Sequence, residues 1–209
     1  MQGDLLAAHA LNVRNIFVVM GDPTRIGDYP DAFDTHDVVP TGLIQLIKGR
    51  FNAGQDQAGN SIEQPTHFFV GAALNLNPPD LEKELALTRK KIENGADFFL
   101  SQPVFEVEKV RAFLTAYAER YGVLERPIIA GLLPLYSPRH AAFLHNEVPG
   151  IEIPPDLRQR MEAAEVSAAE GVRIARELLA ELRPLVQGAY LMPPFGRYYL
   201  AAEVVEGLG

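Results

Sequence analysis

Five short apolar runs recur along the chain, and each ends at a polar side chain or a Gly/Pro turn before a helical stretch begins. The runs lie near residues 15–20, 67–74, 97–102, 127–133 and 188–192. Strands that are apolar throughout and alternate with helices are typical of a parallel sheet covered on its faces. The pattern predicts an α/β fold whose five parallel strands are neighbours in chain order. In such folds, ligands bind at the carboxyl ends of the strands.

Helical spacing of apolar residues fills the segments between these runs. It predicts helices near residues 3–12, 40–50, 80–94, 106–121, 138–146, 167–182 and 198–207. Asp80 and Gly95 are the expected start and stop signals of the third helix. Ser167 and Glu170 have the spacing of a capping box. Residues 22–36 and 51–66 are polar and read as loops, and we expect one domain over residues 1–209.

The length of the chain leaves two architectures open. A complete eight-stranded barrel typically needs about 250 residues, whereas this chain has 209, starts inside a helix and contains five β-α units. It is therefore either a smaller open α/β sheet or the later part of a barrel whose first three units are absent.

Composition excludes several classes of function. A net charge of −8 argues against a general nucleic-acid binder, and no run is long enough to span a membrane. The N-terminus lacks the features of a secretory signal, so a cytoplasmic protein is expected. The chain has no cysteine, and its five histidines lack a metal-ligand spacing, so we expect no metal site. No serine-hydrolase, P-loop or dinucleotide-binding motif is present.

Polar residues directly after the predicted strands are the first candidates for a site. Asp22 could tune a cofactor or hold a cation, or it could simply cap a turn. The Gln102 amide suits the edge of a heterocycle, although it could equally bond a loop backbone. Arg197 closes a Pro-Pro-Phe-Gly-Arg sequence and offers a planar fork of donors. We expect these three side chains to face one cleft.

Several segments, taken in order, resemble methylenetetrahydrofolate reductase, the flavin-dependent folate enzyme. The segments are 15–23, 27–30, 95–105, 127–134 and 192–198. The Gly27–Pro30 segment and the last motif look most like the reductase part of bifunctional bacterial proteins. Those proteins carry a homocysteine S-methyltransferase domain ahead of the reductase. The resemblance covers essentially the whole chain.

The resemblance implies roles for individual residues. Asp22 matches a catalytic aspartate near the flavin ring and the folate, and Gln102 matches a glutamine that contacts the pterin. The implied FAD contacts are Gly21, Asp22, Asn77, Glu84, Lys90 and Lys91. The implied substrate contacts are Gln102, His140, Leu144 and Arg197, with Phe143 as the alternative to Leu144. Without the resemblance, the local sequence indicates that Asn77 is a turn residue and that the two lysines are ordinary surface residues.

The family fold implied by the resemblance is a TIM barrel with FAD across its C-terminal face. The implied reaction passes hydride from NADH or NADPH to the flavin and then to the methylene carbon of the folate. This chain lacks the family's first three strands, and with them the glutamate that acts as general acid. The expected fold is therefore an incomplete barrel whose five strands correspond to the fourth to eighth of the family.

Three readings remain open at this point. The chain is the folate- and flavin-binding later portion of the reductase, or it is a truncated or split, non-catalytic fragment that needs a partner for the missing strands. The third reading is a small α/β protein that binds a phosphate or a sugar. The expected partners are a small-molecule folate and either a second copy of the chain or the missing N-terminal segment, with no nucleic acid and no membrane.

Overall fold

The computed structural model describes residues 1–33 and 37–206 and contains five strands in one sheet. The strands are β1 (Asn15–Val18), β2 (Phe69–Leu74), β3 (Phe98–Pro103), β4 (Ile128–Leu132) and β5 (Gly188–Leu191). Their order in the sheet is β1-β2-β3-β4-β5. Asn15 pairs with Phe69 in parallel register at one edge, and Ile129 pairs with Gly188 at the other. The predicted fold class, with five parallel strands in chain order, is confirmed.

Eight helices accompany these strands in the described part of the chain. They are α1 (Gln2–Ala10), α2 (Pro40–Gly49), α3 (Leu81–Glu93), α4 (Val107–Tyr121), α5 (Pro138–Glu147), α6 (Pro155–Ala163), α7 (Ser167–Leu182) and α8 (Tyr198–Glu206). Short 3₁₀ turns occur at Thr24–Ile26, Phe51–Ala53 and Pro194–Gly196. The predicted loop that ends at His36 and the predicted helix end at residue 207 extend outside the described residues.

The predicted boundaries of α3 are confirmed at both ends. Asp80 Oδ1 accepts a hydrogen bond from the Lys83 backbone N–H at 3.0 Å, which satisfies a donor of the first helical turn. Gly95 follows the helix with a φ of +101°, a conformation that side-chain-bearing residues rarely adopt.

The predicted capping box at α7 is wrong. Ser167 is the first helical residue rather than the cap, since Val166 occupies the N-cap position without a side-chain cap bond. The Ser167 hydroxyl donates to the Met161 carbonyl at 3.5 Å. Glu170 is buried and accepts a hydrogen bond from Arg160 at 2.8 Å. The buried ion pair therefore takes the carboxylate that the capping box would have needed.

Contacts group the chain into two compact units, so the expected single domain over residues 1–209 stays a prediction. The first unit comprises Met1–Ala73 and Ala86–Phe99. Its core is formed by apolar side chains of α2 and β2, including Ile44, Ile47 and Val70. Asp97 Oδ2 lies 2.8 Å from the Lys48 ammonium and accepts the Val70 backbone N–H at 2.7 Å. This carboxylate therefore ties β2 to the exit of α3.

The second unit comprises Leu74–Leu85 and Leu100–Gly209 and contains two core clusters. The larger cluster consists of Phe105, Leu135, Ala141, Leu144, Ile153, Leu157, Met161 and Ile174. The smaller one joins α7 to α8 and consists of Val172, Ala175, Leu200 and Val204. Helix α7 approaches the segment after β4 very closely, because a Cβ added at Gly171 would lie 1.6 Å from the Leu135 carbonyl oxygen. This packing fixes the loop that leaves β4.

Across the described residues, no helix is both long enough and apolar enough to cross a membrane.

Candidate functional site

Gln102 lies near the end of β3 and lines a small cleft in the second unit. The cleft is lined by Asn75, Leu76, Asn77, Gln102, Pro103, Val104, Phe105, Glu106, Val110, Gly150 and Glu152. The Gln102 side chain is exposed. Its amide is therefore open to solvent, with two donors and an acceptor available to a ligand.

Asn77 lies in the turn after β2, and the structure engages it locally. Its backbone N–H donates to Asn75 Oδ1 at 2.9 Å, which is an Asx turn. The Lys109 ammonium, and after it a hydrogen bond with the Asn77 side chain, hold the pKa of the Glu152 carboxyl below its usual range. Glu84 Oε1 accepts the Asn75 backbone N–H at 3.3 Å. Asn77 and Glu84 thus both stabilise the loop that leaves β2.

A chain of hydrogen bonds behind Gln102 fixes its backbone. The Ser101 hydroxyl donates to the Gln102 carbonyl at 2.7 Å and accepts the Gly131 N–H of β4 at 2.9 Å. From β5, the Tyr190 hydroxyl donates to the Ser101 carbonyl at 2.7 Å. A Cβ at Gly131 would lie 2.9 Å from the Tyr190 oxygen, so β4 must carry glycine for this arrangement. Burial raises the pKa of Tyr190, so the phenol remains a donor at neutral pH.

A second cavity lies among the segments that follow β4 and β5, and His140 and Arg197 line it. It is lined by Tyr136, Ser137, Arg139, His140, Phe143, Phe195 and Arg197. The guanidinium carbon of Arg197 lies 3.9 Å from the centre of the Tyr136 ring and 5.2 Å from that of Phe195. The guanidinium therefore lies over the Tyr136 ring and close to Phe195, a favourable position for its delocalised charge.

His140 is buried in the wall of this cavity, on the first turn of α5. Its Nδ1 accepts the Tyr136 backbone N–H at 3.2 Å, and the Ser137 hydroxyl accepts the His140 backbone N–H at 3.1 Å. Burial, with a smaller contribution from the positive charge of Arg197, lowers the pKa of His140. The imidazole is therefore neutral at neutral pH, and its proton is on Nε2, since Nδ1 is the acceptor.

Phe195 completes the cavity in an unusual backbone conformation. Its φ and ψ are 55° and 32°, the left-handed region that a phenylalanine rarely adopts. Its ring centre lies 5.1 Å from that of His140, yet the side chain is 70% exposed. An exposed ring held in this conformation is available to a ligand that stacks on it.

The structure distinguishes between the two neighbouring candidates on α5. Leu144 is 6% exposed and belongs to the larger core cluster. Phe143 is 55% exposed and lines the cavity with His140 and Arg197. The geometry therefore favours Phe143 over Leu144 as the apolar ligand contact.

The candidate flavin contacts of the first unit lie on two segments. Gly21 and Asp22 follow β1 and are exposed. On α3, Lys90 is exposed, whereas Lys91 is 6% exposed and donates from Nζ to the Ala73 carbonyl at 2.7 Å. Lys90 is therefore the better placed of the two lysines for a phosphate group.

The expected cleft shared by Asp22, Gln102 and Arg197 stays a prediction. Asp22 belongs to the first unit and the other two residues to the second. Within the second unit, Gln102 and Arg197 line different cavities.

Sequence reasoning missed the supporting residues of both cavities, namely Tyr136, Ser101 and Tyr190. Tyr136 lies in an apolar stretch before Ser137 and Pro138, where an aromatic residue reads as core. Ser101 and Tyr190 lie inside strands, and only the pairing of β3, β4 and β5 brings them together. Over residues 1–33 and 37–206, no three His, Asp or Glu side chains are grouped so that they could hold a metal ion.

Comparison with known proteins gives one family for nearly the whole chain. The family model for methylenetetrahydrofolate reductase matches residues 1–188. Methylenetetrahydrofolate reductase 2 of Saccharomyces cerevisiae is 25% identical over 162 residues, which cover 74% of this chain and 24% of that protein. Its Schizosaccharomyces pombe namesake is 23% identical over 201 residues, which cover 88% of this chain and 29% of that protein. The chain thus spans 24% to 29% of the length of these relatives.

A solved structure from Clostridium thermocellum has a similar fold. It is an uncharacterized protein that binds two copies of 5-methyl-5,6,7,8-tetrahydrofolic acid. The TM-score is 0.58 at 18% identity, over 92% of this chain and 69% of that one. At this identity the similarity shows the fold alone, and the family follows from the match over residues 1–188. This chain belongs to the methylenetetrahydrofolate reductase family.

Proposed function

We propose that this chain is the folate- and flavin-binding later portion of a methylenetetrahydrofolate reductase. The proposed reaction converts 5,10-methylenetetrahydrofolate to 5-methyltetrahydrofolate, with NADH or NADPH as hydride donor and FAD as carrier, and would serve one-carbon metabolism and methionine synthesis. The observation that carries the proposal is the family match over residues 1–188. The match includes Asp22 in the segment after β1, Gln102 near the end of β3 and His140 on α5, the helix that follows β4.

In this proposal the second unit binds the folate. The exposed amide of Gln102 offers both donor and acceptor to the edge of the pterin. His140 offers an Nε2–H donor, and Arg197 offers its guanidinium, with Tyr136 and Phe195 as aromatic surfaces. Support for a folate ligand also comes from the Clostridium thermocellum neighbour, which binds 5-methyl-5,6,7,8-tetrahydrofolic acid.

The candidate FAD contacts fit the cofactor in part. Asp22 and Lys90 are exposed, so a carboxylate and an ammonium are open to a flavin and its phosphates. Lys91, Asn77 and Glu84 all have bonds within the protein, and Lys91 is almost fully buried. We therefore assign Gly21, Asp22 and Lys90 as the primary contacts, and the other three as residues that shape the loop and the helix.

FAD, when bound, would supply the transfer of hydride between the nicotinamide and the folate. The residues of this chain would bind and orient the folate, with Gln102 and Arg197 fixing its position. A proton donor at the ring nitrogen of the folate is also needed, and no residue of the chain matches the family's glutamate. We therefore propose that activity requires β-α units beyond the five strands seen here, completing a barrel.

The alternative function is that of a non-catalytic fragment that binds ligand but awaits a partner with the missing strands. The partial fit of the FAD contacts favours this reading for the isolated chain. In the bifunctional arrangement suggested by the motifs, those strands would belong to a reductase preceded by a homocysteine S-methyltransferase domain.

Titration with FAD, followed by flavin fluorescence, tests the proposed cofactor site. We expect the isolated chain to bind FAD weakly, since Asp22 and Lys90 are open to it but the early-strand contacts are missing. Lys90→Ala should weaken binding further, because it removes a phosphate partner. Lys83→Ala, an exposed lysine on the first turn of the same helix, is the matched control. Tight stoichiometric binding by the isolated chain would show that the missing strands are not needed.

A further inference from the structure

Tyr136 contacts the two candidate ligand-binding residues of the second cavity, His140 and Arg197, each through a different part of the residue. Its ring lies under the Arg197 guanidinium at 3.9 Å, and its backbone N–H donates to His140 Nδ1 at 3.2 Å. We propose that Tyr136 is the positioning residue of this site, orienting Arg197 through its ring and fixing the His140 tautomer through its backbone. The structural part of this proposal stands by itself, and the effect on folate binding rests on the proposed function.

The ring of Tyr136 restricts a side chain that would otherwise be mobile. An arginine has four rotatable bonds and loses much conformational freedom when it is ordered. A guanidinium 3.9 Å above a ring is in stacking range, so the electron-rich face attracts it while its N–H groups stay free for other acceptors. Phe195, whose ring centre is 5.2 Å from the guanidinium carbon, limits its movement further. Arg197 is thus ordered before a ligand arrives.

The backbone of Tyr136 determines which nitrogen of His140 faces a ligand. Because Nδ1 accepts the Tyr136 N–H, the neutral imidazole carries its proton on Nε2. The bond between the Ser137 hydroxyl and the His140 N–H fixes the start of α5 at the same point. The ring is therefore held with Nε2–H as its remaining donor.

The lining of the cavity makes the orientation of these donors important. Arg139 and Arg197 are its charged residues, His140 is neutral, and the residues described around it include no carboxylate. A ligand rich in acceptor oxygens is therefore favoured, and its contacts depend on where these donors point. Displacement of Arg197 should weaken binding as much as its removal.

The first test follows the His140 imidazole by ¹⁵N NMR over a pH titration of the 209-residue chain. Burial is the larger cause of the lowered pKa of His140, and Arg197 is the smaller one. Tyr136→Leu should therefore raise this pKa by about as much as Arg197→Met does, because in both variants Arg197 is no longer held beside the imidazole. Tyr136→Phe keeps the ring and should leave this pKa unchanged. The matched control is Tyr121→Leu, since Arg120 lies 5.5 Å from the Tyr121 ring on α4, outside the cavity.

Two results would overturn the positioning role. One is a His140 pKa that stays the same in Tyr136→Leu although the protein remains folded by circular dichroism. The other is a proton on Nδ1 rather than Nε2 in the unmodified chain. If Tyr136→Leu does not fold, the ¹⁵N tautomer of the unmodified chain and Tyr136→Met, which keeps a longer apolar side chain without an aromatic ring, decide the matter in the same way.

The second test measures the affinity for 5-methyltetrahydrofolate by calorimetry on the same variants. Tyr136→Leu and Arg197→Met should each weaken binding about tenfold, and the double variant should be no weaker than Arg197→Met alone. Tyr136→Phe should restore binding to within about twofold of the unmodified chain. Additive losses in the double variant would contradict positioning. Absence of binding by the unmodified chain would contradict the proposed function, while the NMR titration would still decide the role of Tyr136.

Discussion

At the residue scale, the chemistry of the second cavity depends on a histidine that burial and a neighbouring guanidinium keep neutral. His140 has a lowered pKa, first from burial and second from Arg197. A neutral imidazole with a fixed tautomer can donate a hydrogen bond from Nε2 without adding charge to a cavity that already holds two arginines.

The lowered pKa of His140 predicts a pH dependence of stability. In the unfolded chain the His140 imidazole takes up a proton near its ordinary pKa of about 6.5. In the folded chain it does so only at lower pH. The folded state is therefore destabilised as pH falls from about 6.5 to the lowered pKa, and the effect is complete below it.

Chemical unfolding of the native chain and His140→Gln between pH 8 and pH 5 provides the measurement. The native chain should lose more stability over this range than the variant, whose amide does not titrate. All other titrating groups are present in both proteins, including His9, whose pKa is also lowered, so their contributions cancel. Parallel pH profiles for the two proteins would contradict a depressed pKa at His140.

The polar residues at or just after the ends of strands could be predicted from sequence. The residues that hold their side chains in place could not. Asp22, Gln102 and Arg197 stand out because a polar group ends an apolar run. Tyr136 looks like a core residue in sequence, and its role depends on a contact with Arg197 that lies 61 positions away. No local pattern encodes such a contact.

At the scale of elements, the first turns of helix α7 pack against the loop after β4 and pair with α6. Gly171 allows the helix backbone to meet the Leu135 carbonyl, and Glu170 joins α7 to Arg160 of α6. Arg173 pairs with the same carboxylate from the next turn of α7.

Gly171→Ala should destabilise the protein, although alanine is the better helix former. The new methyl group would overlap the Leu135 carbonyl oxygen, a backbone atom that cannot rotate away. We expect a loss of about 3 kcal/mol in the free energy of unfolding. The matched control is Gly49→Ala at the end of α2, where no atom lies within 4 Å of the new methyl. Gly49→Ala should be neutral or stabilise by about 0.5 kcal/mol, so only Gly171→Ala should lower the stability in urea unfolding.

Removing the buried carboxylate of Glu170 should cost more than removing its exposed neighbour. The Glu170 side chain is 5% exposed, and Glu177, which pairs with the same Arg160, is 46% exposed. We expect Glu170→Gln to lower the free energy of unfolding by about 2 kcal/mol, because the neutral amide loses the charge-assisted bonds that this buried carboxylate accepts from Arg160 and Arg173. Glu177→Gln should lower it by less than about 1 kcal/mol. Equal effects in thermal or urea unfolding would show that burial does not decide the strength of this pair.

The elements themselves were largely predictable, and the exceptions have physical causes. Each observed strand begins and ends within two residues of its predicted apolar run. Helix α6 was not predicted, because only Leu157 and Met161 of its nine residues are buried and the rest are mostly polar. The capping box failed because Glu170 is used in tertiary pairing, which local spacing does not reveal.

At the scale of the whole molecule, five parallel strands form a sheet with β1 and β5 at its edges. Unpaired strand edges are normally covered, charged or paired with further strands. The proposed completion of a barrel by additional β-α units would pair both edges, and it would also supply the general acid that no residue of this chain matches.

The most direct test is the turnover of 5,10-methylenetetrahydrofolate with FAD and NADH or NADPH, measured for the 209-residue chain and for a hybrid. The hybrid joins the chain to the first three β-α units of a family member. We predict negligible turnover by the chain alone and clear turnover by the hybrid, since general acids contribute about a hundred- to ten-thousand-fold. Asp22→Asn in the hybrid should reduce folate reduction. Normal turnover by the unaided chain would contradict the need for further β-α units. A folded hybrid that binds flavin but does not reduce the folate would contradict the proposed reductase function.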